Sequence, residues 1–263
     1  LIAPDSLNTI TINLTEGTFA PSSTGESFPI LMISNVNLTG QGEEVTILDA
    51  EGSEENPRRV ITMEHCESNT ISDFTMTGGF VQGEFPYNSG GGMHLRYSYP
   101  TLTNITIIGN TAEKGGGMYI WYSDPILTNV TISNNTADYG GGIRLNYSDP
   151  ILNNVTISNN TADYGGGMYL YYSNPIITNV TISKNTAVGG GGILLSFSNP
   201  TLTHVTIESN TANEFGGMLL SSSNPTITNS IIWDNNPESI NFAPASMFSS
   251  PNSIAINYSD IQG

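Results

Sequence analysis

The stretch NVTISNNTADYGGG occupies residues 129–142 and recurs, letter for letter, at 154–167. Weaker copies continue the series on both sides. The residue that follows each glycine run is Met or Ile, and successive cases lie 25 residues apart: Met93, Met118, Ile143, Met168, Ile193 and Met218. A fixed period of roughly 20–50 residues is typical of solenoids and propellers, whose units bury their apolar faces only by stacking on their neighbours.

A single repeat, MYLYYSNPIITNVTISKNTAVGGGG (168–192), has the pattern of short strands. Apolar residues alternate with others in MYLYY and again in NVTIS, which is the period of a strand with one buried face. Pro175 cannot donate to a central ladder, so it is expected at a turn or at the first residue of a strand. The coil is therefore predicted to contain a few short strands joined by tight turns.

Stacking such coils in register places each residue about 4.8 Å from its equivalent in the next coil. We predict that Met118, Ile143 and Met168 form one buried column and that Asn129, Asn154 and Asn179 form another. A further Asn column and a Ser column run through six coils: Asn110, Asn135, Asn160, Asn185, Asn210 and Asn235, with Ser98, Ser123, Ser148, Ser173, Ser198 and Ser223. The paired glycines of each coil are expected at a bend that has no room for a side chain.

The repeat also divides the chain. We predict a single β-helix domain over 1–263, with irregular coils and a cap over 1–92. Six regular 25-residue coils follow over 93–242, and a last coil or C-terminal edge over 243–263. The fold class expected is all-β, a parallel β-helix or β-solenoid. A leucine-rich repeat has a similar period, but no coil contains its L-x-x-L-x-L-x-x-N pattern.

The repeat resembles the right-handed parallel β-helix repeat proteins of bacterial surfaces. The resemblance lies in the order of its elements: GGGM or GGGI, a strand, S-[DN]-P, [IL]TNVTIS and N-T-A. The repeat is also similar, more distantly, to the GGA[IL] and FxxN repeats of chlamydial polymorphic outer membrane proteins. TITINLTEGTF resembles the opening strand and turn of this class, and NSIIWDNN and NYSDIQG resemble its last coils. The resemblance implies a right-handed helix, in agreement with the general handedness of parallel crossovers.

Charge and composition narrow the function. The chain has six Lys and Arg residues and 23 Asp and Glu residues, which gives a formal net charge of −17. This balance argues against nucleic acid and anionic membrane surfaces as partners, and no apolar run is long enough to insert in a bilayer. The abundance of Asn, Thr, Ser and Gly with little Lys suits an extracellular or cell-surface protein. The single cysteine, Cys66, excludes an internal disulfide framework, and the oligomeric state is left open.

One strand face is unlike the rest of the expected surface. If Met168, Leu170 and Tyr172 point inward, the residues between them point outward, and the same holds in the neighbouring coils. The outward set is rich in aromatic and basic side chains: His94, Arg96, Tyr119, Trp121, Arg144, Tyr169 and Tyr171. Such side chains stack on sugar rings and hydrogen-bond their substituents, although strand propensity alone also accounts for Tyr and Trp. We therefore predict a non-catalytic, adhesin-like or carbohydrate-binding protein whose partner is a polysaccharide or surface glycan.

The alternative is a Ca²⁺-dependent polysaccharide lyase, because the resemblance places that family's active site on this face. Asp124 and Asp149 follow the strand in adjacent coils near Arg144, and Asp138 and Asp163 form a second acidic pair. Stacked carboxylates repel each other, and a cation such as calcium would relieve the repulsion. Calcium is thus the candidate cofactor, although so uniform a repeat disfavours a specialised catalytic centre.

A further alternative is ice binding. The outward pairs Thr131/Ser133, Thr156/Ser158 and Thr181/Ser183 form a T-x-S array across three coils. Ile108, Glu208 and Trp233 interrupt the array in the flanking coils, and outward threonines are ordinary on strands.

Overall fold

The computed structural model describes residues 4–5, 7–243 and 251–262. All regular structure in this part of the chain is β, in 29 short strands, numbered β1–β29 along the chain, that form three sheets. The nine-stranded sheet consists of β3 (Ile30–Leu31), β6 (Ile61–Glu64), β8 (Met93–Arg96), β10 (Met118–Trp121), β13 (Ile143–Asn146), β16 (Met168–Tyr171), β20 (Ile193–Ser196), β24 (Met218–Ser221) and β27 (Ile240–Phe242).

The sixteen-stranded sheet consists of β1 (Ile10–Asn13), β2 (Gly17–Phe19), β4 (Val36–Thr39), β5 (Thr46–Asp49), β7 (Thr70–Thr77), β9 (Thr101–Ile108), β11 (Ile126–Ser133), β14 (Ile151–Ser158), β17 (Ile176–Thr178), β18 (Thr181–Ser183), β21 (Thr201–Thr203), β22 (Thr206–Glu208), β25 (Thr226–Thr228), β26 (Ile231–Trp233), β28 (Ala255–Asn257) and β29 (Asp260–Ile261). The four-stranded sheet consists of β12 (Thr136–Tyr139), β15 (Thr161–Tyr164), β19 (Thr186–Gly189) and β23 (Thr211–Glu214).

Strands of successive coils pair in parallel, with equivalent residues side by side. Met118 pairs with Met93 on one side and with Ile143 on the other, and Ile143 pairs in turn with Met168. These side chains are fully buried within one continuous apolar core. The predicted 25-residue stacking and its first buried column are therefore confirmed. Each side chain of this size stabilises the fold by about 1.5–3 kcal/mol when buried.

The second predicted column, Asn129, Asn154 and Asn179, stacks as expected but is exposed, so its predicted burial was wrong. Each residue has a positive φ near 54° and lies at a bend within the sixteen-stranded sheet. Asn tolerates this left-handed conformation better than other side chains. The Nδ2 atom of Asn154 donates to Oδ1 of Asn129 at 2.7 Å, which joins the coils along the surface.

The buried polar ladders come from the other Asn column and from the serines. The backbone N–H and the Nδ2 of Asn135 both donate to Oδ1 of Asn160 in the next coil, each at 3.0 Å. Asn160 Nδ2 donates to the Ile132 carbonyl oxygen at 3.0 Å. Likewise, the Ser123 N–H donates to Ser148 Oγ at 3.0 Å. Because buried polar groups are costly unless they are hydrogen-bonded, each coil must repeat the residue that satisfies its neighbour.

The paired glycines that recur in each coil lie at a corner where successive coils are in close contact. A Cβ atom added at Gly141 would lie 2.6 Å from the Gly166 carbonyl oxygen, and one added at Gly142 would lie 2.6 Å from the Gly167 carbonyl oxygen. Neighbouring backbones therefore touch at this corner, as the paired glycines predict.

The coils before Met93 are longer than the regular ones, since Ile61 pairs with Met93 and Thr70 with Thr101. After Phe242 the described chain resumes with β28 and β29, which continue the sixteen-stranded sheet. Positions 1–3, 6, 244–250 and 263 of the predicted domain lie outside the described residues. The proposed limits at 92 and 242 stay a prediction.

Candidate functional site

The outer face of the nine-stranded sheet carries all seven residues of the predicted platform, but it is not one open surface. Trp121, Tyr169 and Tyr171 are half-buried. His94 is only 3% exposed and Tyr119 only 4%. The prediction that these two side chains are exposed was wrong.

The covering loop, residues 81–88, explains this burial. The Phe85 ring lies edge-on to Tyr119 and Trp121, with centroid distances of 6.1 and 5.1 Å. Tyr119 in turn packs edge-on against His94, with the ring centroids 5.4 Å apart. The Phe85 ring thus lies between a cleft over the earlier coils and the outer face of β13 and β16 in the later ones. We call this second surface, which carries Arg144, Tyr169 and Tyr171, the groove.

The cleft has a volume of about 560 Å³. Its walls combine apolar side chains with a basic pole and come from the first coils and the covering loop: Pro29, Leu31, Pro57, Arg58, Arg59, Thr62, Met63, Glu64, Val81, Gln82, Pro86, Tyr87, His94 and Arg96. This size is in the range of small-molecule sites, roughly 300–1,000 Å³.

Arg59 is the central residue of the cleft and only 8% exposed. Its Nη2 donates to the carbonyl oxygens of Pro86 and Tyr87 at 2.8 and 3.2 Å, which fastens the covering loop. Its Nη1 lies 3.0 Å from His94 Nδ1. Because a guanidinium only donates, Nδ1 accepts and the hydrogen of the neutral imidazole lies on Nε2.

Two buried donors of this pair have no protein partner in the described part of the chain, namely Arg59 Nε and His94 Nε2. Burial lowers the pKa of Arg59 to about 10, so the guanidinium stays charged at neutral pH. Burial, together with the positive charges of Arg59 and Arg96, lowers the pKa of His94 to about 3. The pair therefore combines one buried positive charge with one neutral donor.

Arg96 and Glu64 form an ion pair at the mouth of the cleft. The guanidinium of Arg96 also lies over the Trp121 ring, 4.8 Å from its centroid. Such a pairing leaves Arg96 largely neutralised, since Glu64 supplies the opposite charge.

In the groove, the Arg144 guanidinium lies 3.5 Å from the centroid of the Tyr169 ring and 5.5 Å from that of Tyr171. Arg144 Nε and Nη1 are buried and have no protein partner among the described residues. One face of Tyr169 is thus covered by a cation, so this ring is less open to sugar stacking than predicted. The groove instead presents hydrogen-bond donors held on an aromatic base.

Positive charge is concentrated on this face. Arg58, Arg59 and Arg96 line the cleft, and Arg144 lies in the groove. Lys114 Nζ lies 5.5 Å from the centroid of the Phe85 ring. We call these five residues the basic face. They are five of the six Lys and Arg in a chain of net charge −17, and the sixth, Lys184, follows β18 in the sixteen-stranded sheet.

The predicted calcium ligands have other contacts. Asp124 Oδ1 accepts the backbone N–H of Asp149 at 2.6 Å, and Asp149 Oδ1 accepts that of Asn174. Burial, followed by the charges of Asp163 and Glu113, raises the pKa of Asp138. Within residues 4–5, 7–243 and 251–262, no three His, Cys, Asp or Glu side chains are placed to share a metal ion. Calcium binding by these pairs stays a prediction.

Sequence reasoning also misplaced Tyr172, which was expected to point inward. It follows β16 with a φ of 47° and is 40% exposed. It belongs to a ladder of stacked rings, exposed in the middle and half-buried at both ends, with centroids 4.7–5.3 Å apart: Tyr97, Tyr122, Tyr147, Tyr172 and Phe197. The 25-residue recurrence of an aromatic residue was the available signal. Arg59 was missed altogether, because it precedes the regular coils and no repeat pattern marks it.

Comparison with known families agrees with this architecture. A family described as the right handed beta helix region matches residues 31–198 of the chain. The chain belongs to this right-handed β-helix family. No curated protein matches the chain as a sequence relative. In the described part of this β-helix, no helix is long and apolar enough to cross a membrane.

Two solved structures illustrate the fold. The pectate lyase Pel9A is 12% identical with a TM-score of 0.60, and the match covers 96% of this chain and 70% of that one. PfbA, a surface adhesin of Streptococcus pneumoniae, is 11% identical with a TM-score of 0.50, covering 93% and 69%. At such identities the likeness shows the right-handed β-helix alone, which hosts catalytic and non-catalytic proteins.

Proposed function

We propose that this β-helix is a non-catalytic, adhesin-like protein, extracellular or at the cell surface, that binds an acidic glycan through the groove, the part of its basic face that contains Arg144. The observation that carries the proposal is that five of the six basic residues lie on or beside the outer face of the nine-stranded sheet in an otherwise acidic molecule: Arg96 and Arg144 on its strands, and Arg58, Arg59 and Lys114 on the segments that flank it. Among the proteins of similar fold, PfbA is a surface adhesin. The resemblance to surface repeat proteins, including the chlamydial ones, supports the same localisation.

The groove supplies the chemistry. Arg144 offers two buried N–H groups without protein partners, and carboxylates are their best acceptors. Because the strands are rigid, binding orders little of the protein.

A polysaccharide lyase is the second candidate function, since the pectate lyase Pel9A shares the fold. Arg144, on the outer face of the nine-stranded sheet, is the candidate base for that reaction. Ice binding has less support. The hydroxyl array is partly enclosed, with Ser133 at 7% and Ser183 at 8% exposure.

Affinity electrophoresis in gels with and without polygalacturonate tests the proposal. The parent should be retarded by polygalacturonate and not by a neutral polysaccharide. Arg144→Ala should weaken the retardation about tenfold or more, since a hydrogen bond to a charged group contributes about 1.5–3 kcal/mol. Lys184→Ala, the matched control, removes the same charge away from the basic face and should migrate like the parent.

Equal retardation of the two variants would mean that charge alone is responsible, and would overturn the proposal. Absorbance of unsaturated product, followed with Ca²⁺ and with chelator, separates binding from cleavage. Product formation that is lost in Arg144→Ala would establish the lyase instead.

A further inference from the structure

The cleft differs from the groove in its chemistry. Pro29, Leu31 and Pro57 belong to a largely apolar wall, to which Val81 and Pro86 also contribute. Leu31 is 70% exposed, although it forms part of a concave surface. Tyr87 is the only Phe, Trp or Tyr among the lining residues, so the broad aromatic platform typical of sugar stacking is absent from this cleft.

The opposite pole is cationic, and its charge is only partly compensated. Among the described residues that line the cleft, Glu64 is the one carboxylate; it is paired with Arg96, and its charge also acts on Arg59. Arg58 and Arg59 have no ion-pair partner among the described residues, and Arg59 is nearly fully buried. A buried charge is costly unless it is paired, so an anion that enters the cleft would recover the free energy lost on burial.

Two donors remain for such an anion. Arg59 Nε and His94 Nε2 are buried and unpartnered, and both residues line the cleft. The 3.0 Å contact between Arg59 Nη1 and His94 Nδ1 holds the two side chains together and gives the imidazole a hydrogen on Nε2. A charged donor beside a neutral one matches the two oxygens of a carboxylate.

We infer that the cleft is a binding site for a small carboxylate on an apolar body, for which benzoate is a probe. The carboxylate lies against Arg59 and His94, and the body lies against the wall of prolines and Leu31. This site is separate from the groove proposed for acidic glycans, because Phe85 and its contacts to Tyr119 and Trp121 lie between them. The inference therefore does not depend on glycan binding.

Titration of the parent with benzoate and benzamide, followed by isothermal calorimetry or saturation-transfer NMR, tests the inference without any substitution. Benzoate should bind saturably at one site. Benzamide, which has the same shape and no charge, should bind at least about tenfold more weakly. Equal binding of the two probes, or no binding of benzoate, would overturn the inference.

Titration with galacturonate tests whether the body of the ligand must be apolar, because galacturonate carries its carboxylate on a polar ring. If galacturonate binds more tightly than benzoate, the cleft is a saccharide site and the inference is refuted. Arg59→Lys keeps the charge but loses the planar guanidinium and its fixed set of N–H donors, and should weaken benzoate binding about tenfold while the circular dichroism spectrum of the β-helix is retained.

Arg144→Ala is the matched control, because it lies in the groove and should leave benzoate binding unchanged. If the Arg59→Lys variant and the Arg58→Gln variant both retain full benzoate binding, the assignment of the benzoate site to this cleft is refuted. Because polygalacturonate retardation is measured separately, loss of either activity is distinguishable from loss of the other.

Discussion

His94 is held neutral by its surroundings. Its ring is enclosed by Tyr119 and by the guanidinium of Arg59, and a proton would add a third charge beside Arg59 and Arg96. A buried histidine between two arginines is therefore a hydrogen-bond donor and acceptor of fixed tautomer rather than a base near neutral pH. This fixed tautomer is what leaves Nε2–H available in the cleft.

The lowered pKa of His94 makes stability depend on pH. In the unfolded chain the imidazole binds a proton below about pH 6.5, whereas in the folded protein it does so only near pH 3. The free energy of unfolding should thus fall as pH falls between these values, by about 2 kcal/mol from pH 7 to pH 5. His94→Gln should show a flatter dependence in urea denaturation at these two pH values. His204→Asn, at an exposed bend, should keep the parental slope, and a parental slope in His94→Gln would contradict the argument.

Single-residue exposure was only partly predictable from the sequence. The inward positions of Met118, Ile143 and Met168 follow from strand alternation and the repeat, and both are local properties. Tyr172 breaks the alternation, because its left-handed backbone turns the chain before the strand period would place it inside. His94 and Tyr119 are covered by a loop that occurs once, so no recurrence in the sequence indicates their burial.

The ladders of buried Asn and Ser side chains join one coil to the next by hydrogen bonds, as strand pairing does within the sheets. Asn160 Oδ1 accepts two hydrogen bonds from Asn135, while its Nδ2 donates to Ile132 O and Asn185 Oδ1. All four contacts are buried. The amide thus satisfies backbone groups at a corner where strand pairing is interrupted.

Asn160→Ala should be strongly destabilising, because the backbone N–H of Asn135 loses its acceptor inside the core, its Nδ2 keeps only the Ile107 carbonyl oxygen, and the Ile132 carbonyl oxygen loses the donor Asn160 Nδ2. At about 1–3 kcal/mol for each orphaned group, we expect a loss of about 2–5 kcal/mol in the free energy of unfolding. Chemical denaturation measures the change. Asn153, in β14 of the same coil, is exposed, and Asn153→Ala is the control, expected to change stability by about 0.5 kcal/mol or less. Similar losses in both variants would show that the ladder contributes little.

The molecule as a whole combines a regular stack with an irregular N-terminal part, and the two differ in what they contribute. The regular coils repeat the same turns, ladders and core. The cleft, by contrast, is built where the period fails, from Arg59, the covering loop and the longer coils. Repetition therefore predicted the fold, whereas the chemistry of Arg59 and His94 depends on contacts between segments that share no pattern.

A stack of equivalent coils should tolerate loss of a whole unit. Deleting residues 143–167 joins Gly142 to Met168 and restores every column, so the variant should unfold cooperatively within a few degrees of the parental melting temperature. Circular dichroism on heating measures this. Deleting 143–168 instead shifts the following strand by one residue and exchanges its inner and outer faces. The longer deletion should prevent cooperative unfolding, and equal behaviour of the two variants would refute the register argument.

The buried ladders also give the stack a chemical direction. In the Asn ladder the N–H and Nδ2 of Asn135 donate to the later coil, whereas only Nδ2 of Asn160 donates back, to the Ile132 carbonyl oxygen. In the Ser ladder the N–H of Ser123 donates to the later coil. An interface opened in the middle of the stack would thus leave more bare ladder donors on its N-terminal half than on its C-terminal half. Buried N–H groups tolerate isolation less well than oxygens do. In these ladders the two faces of a break are therefore chemically unequal, and the N-terminal half has the greater need for a succeeding coil.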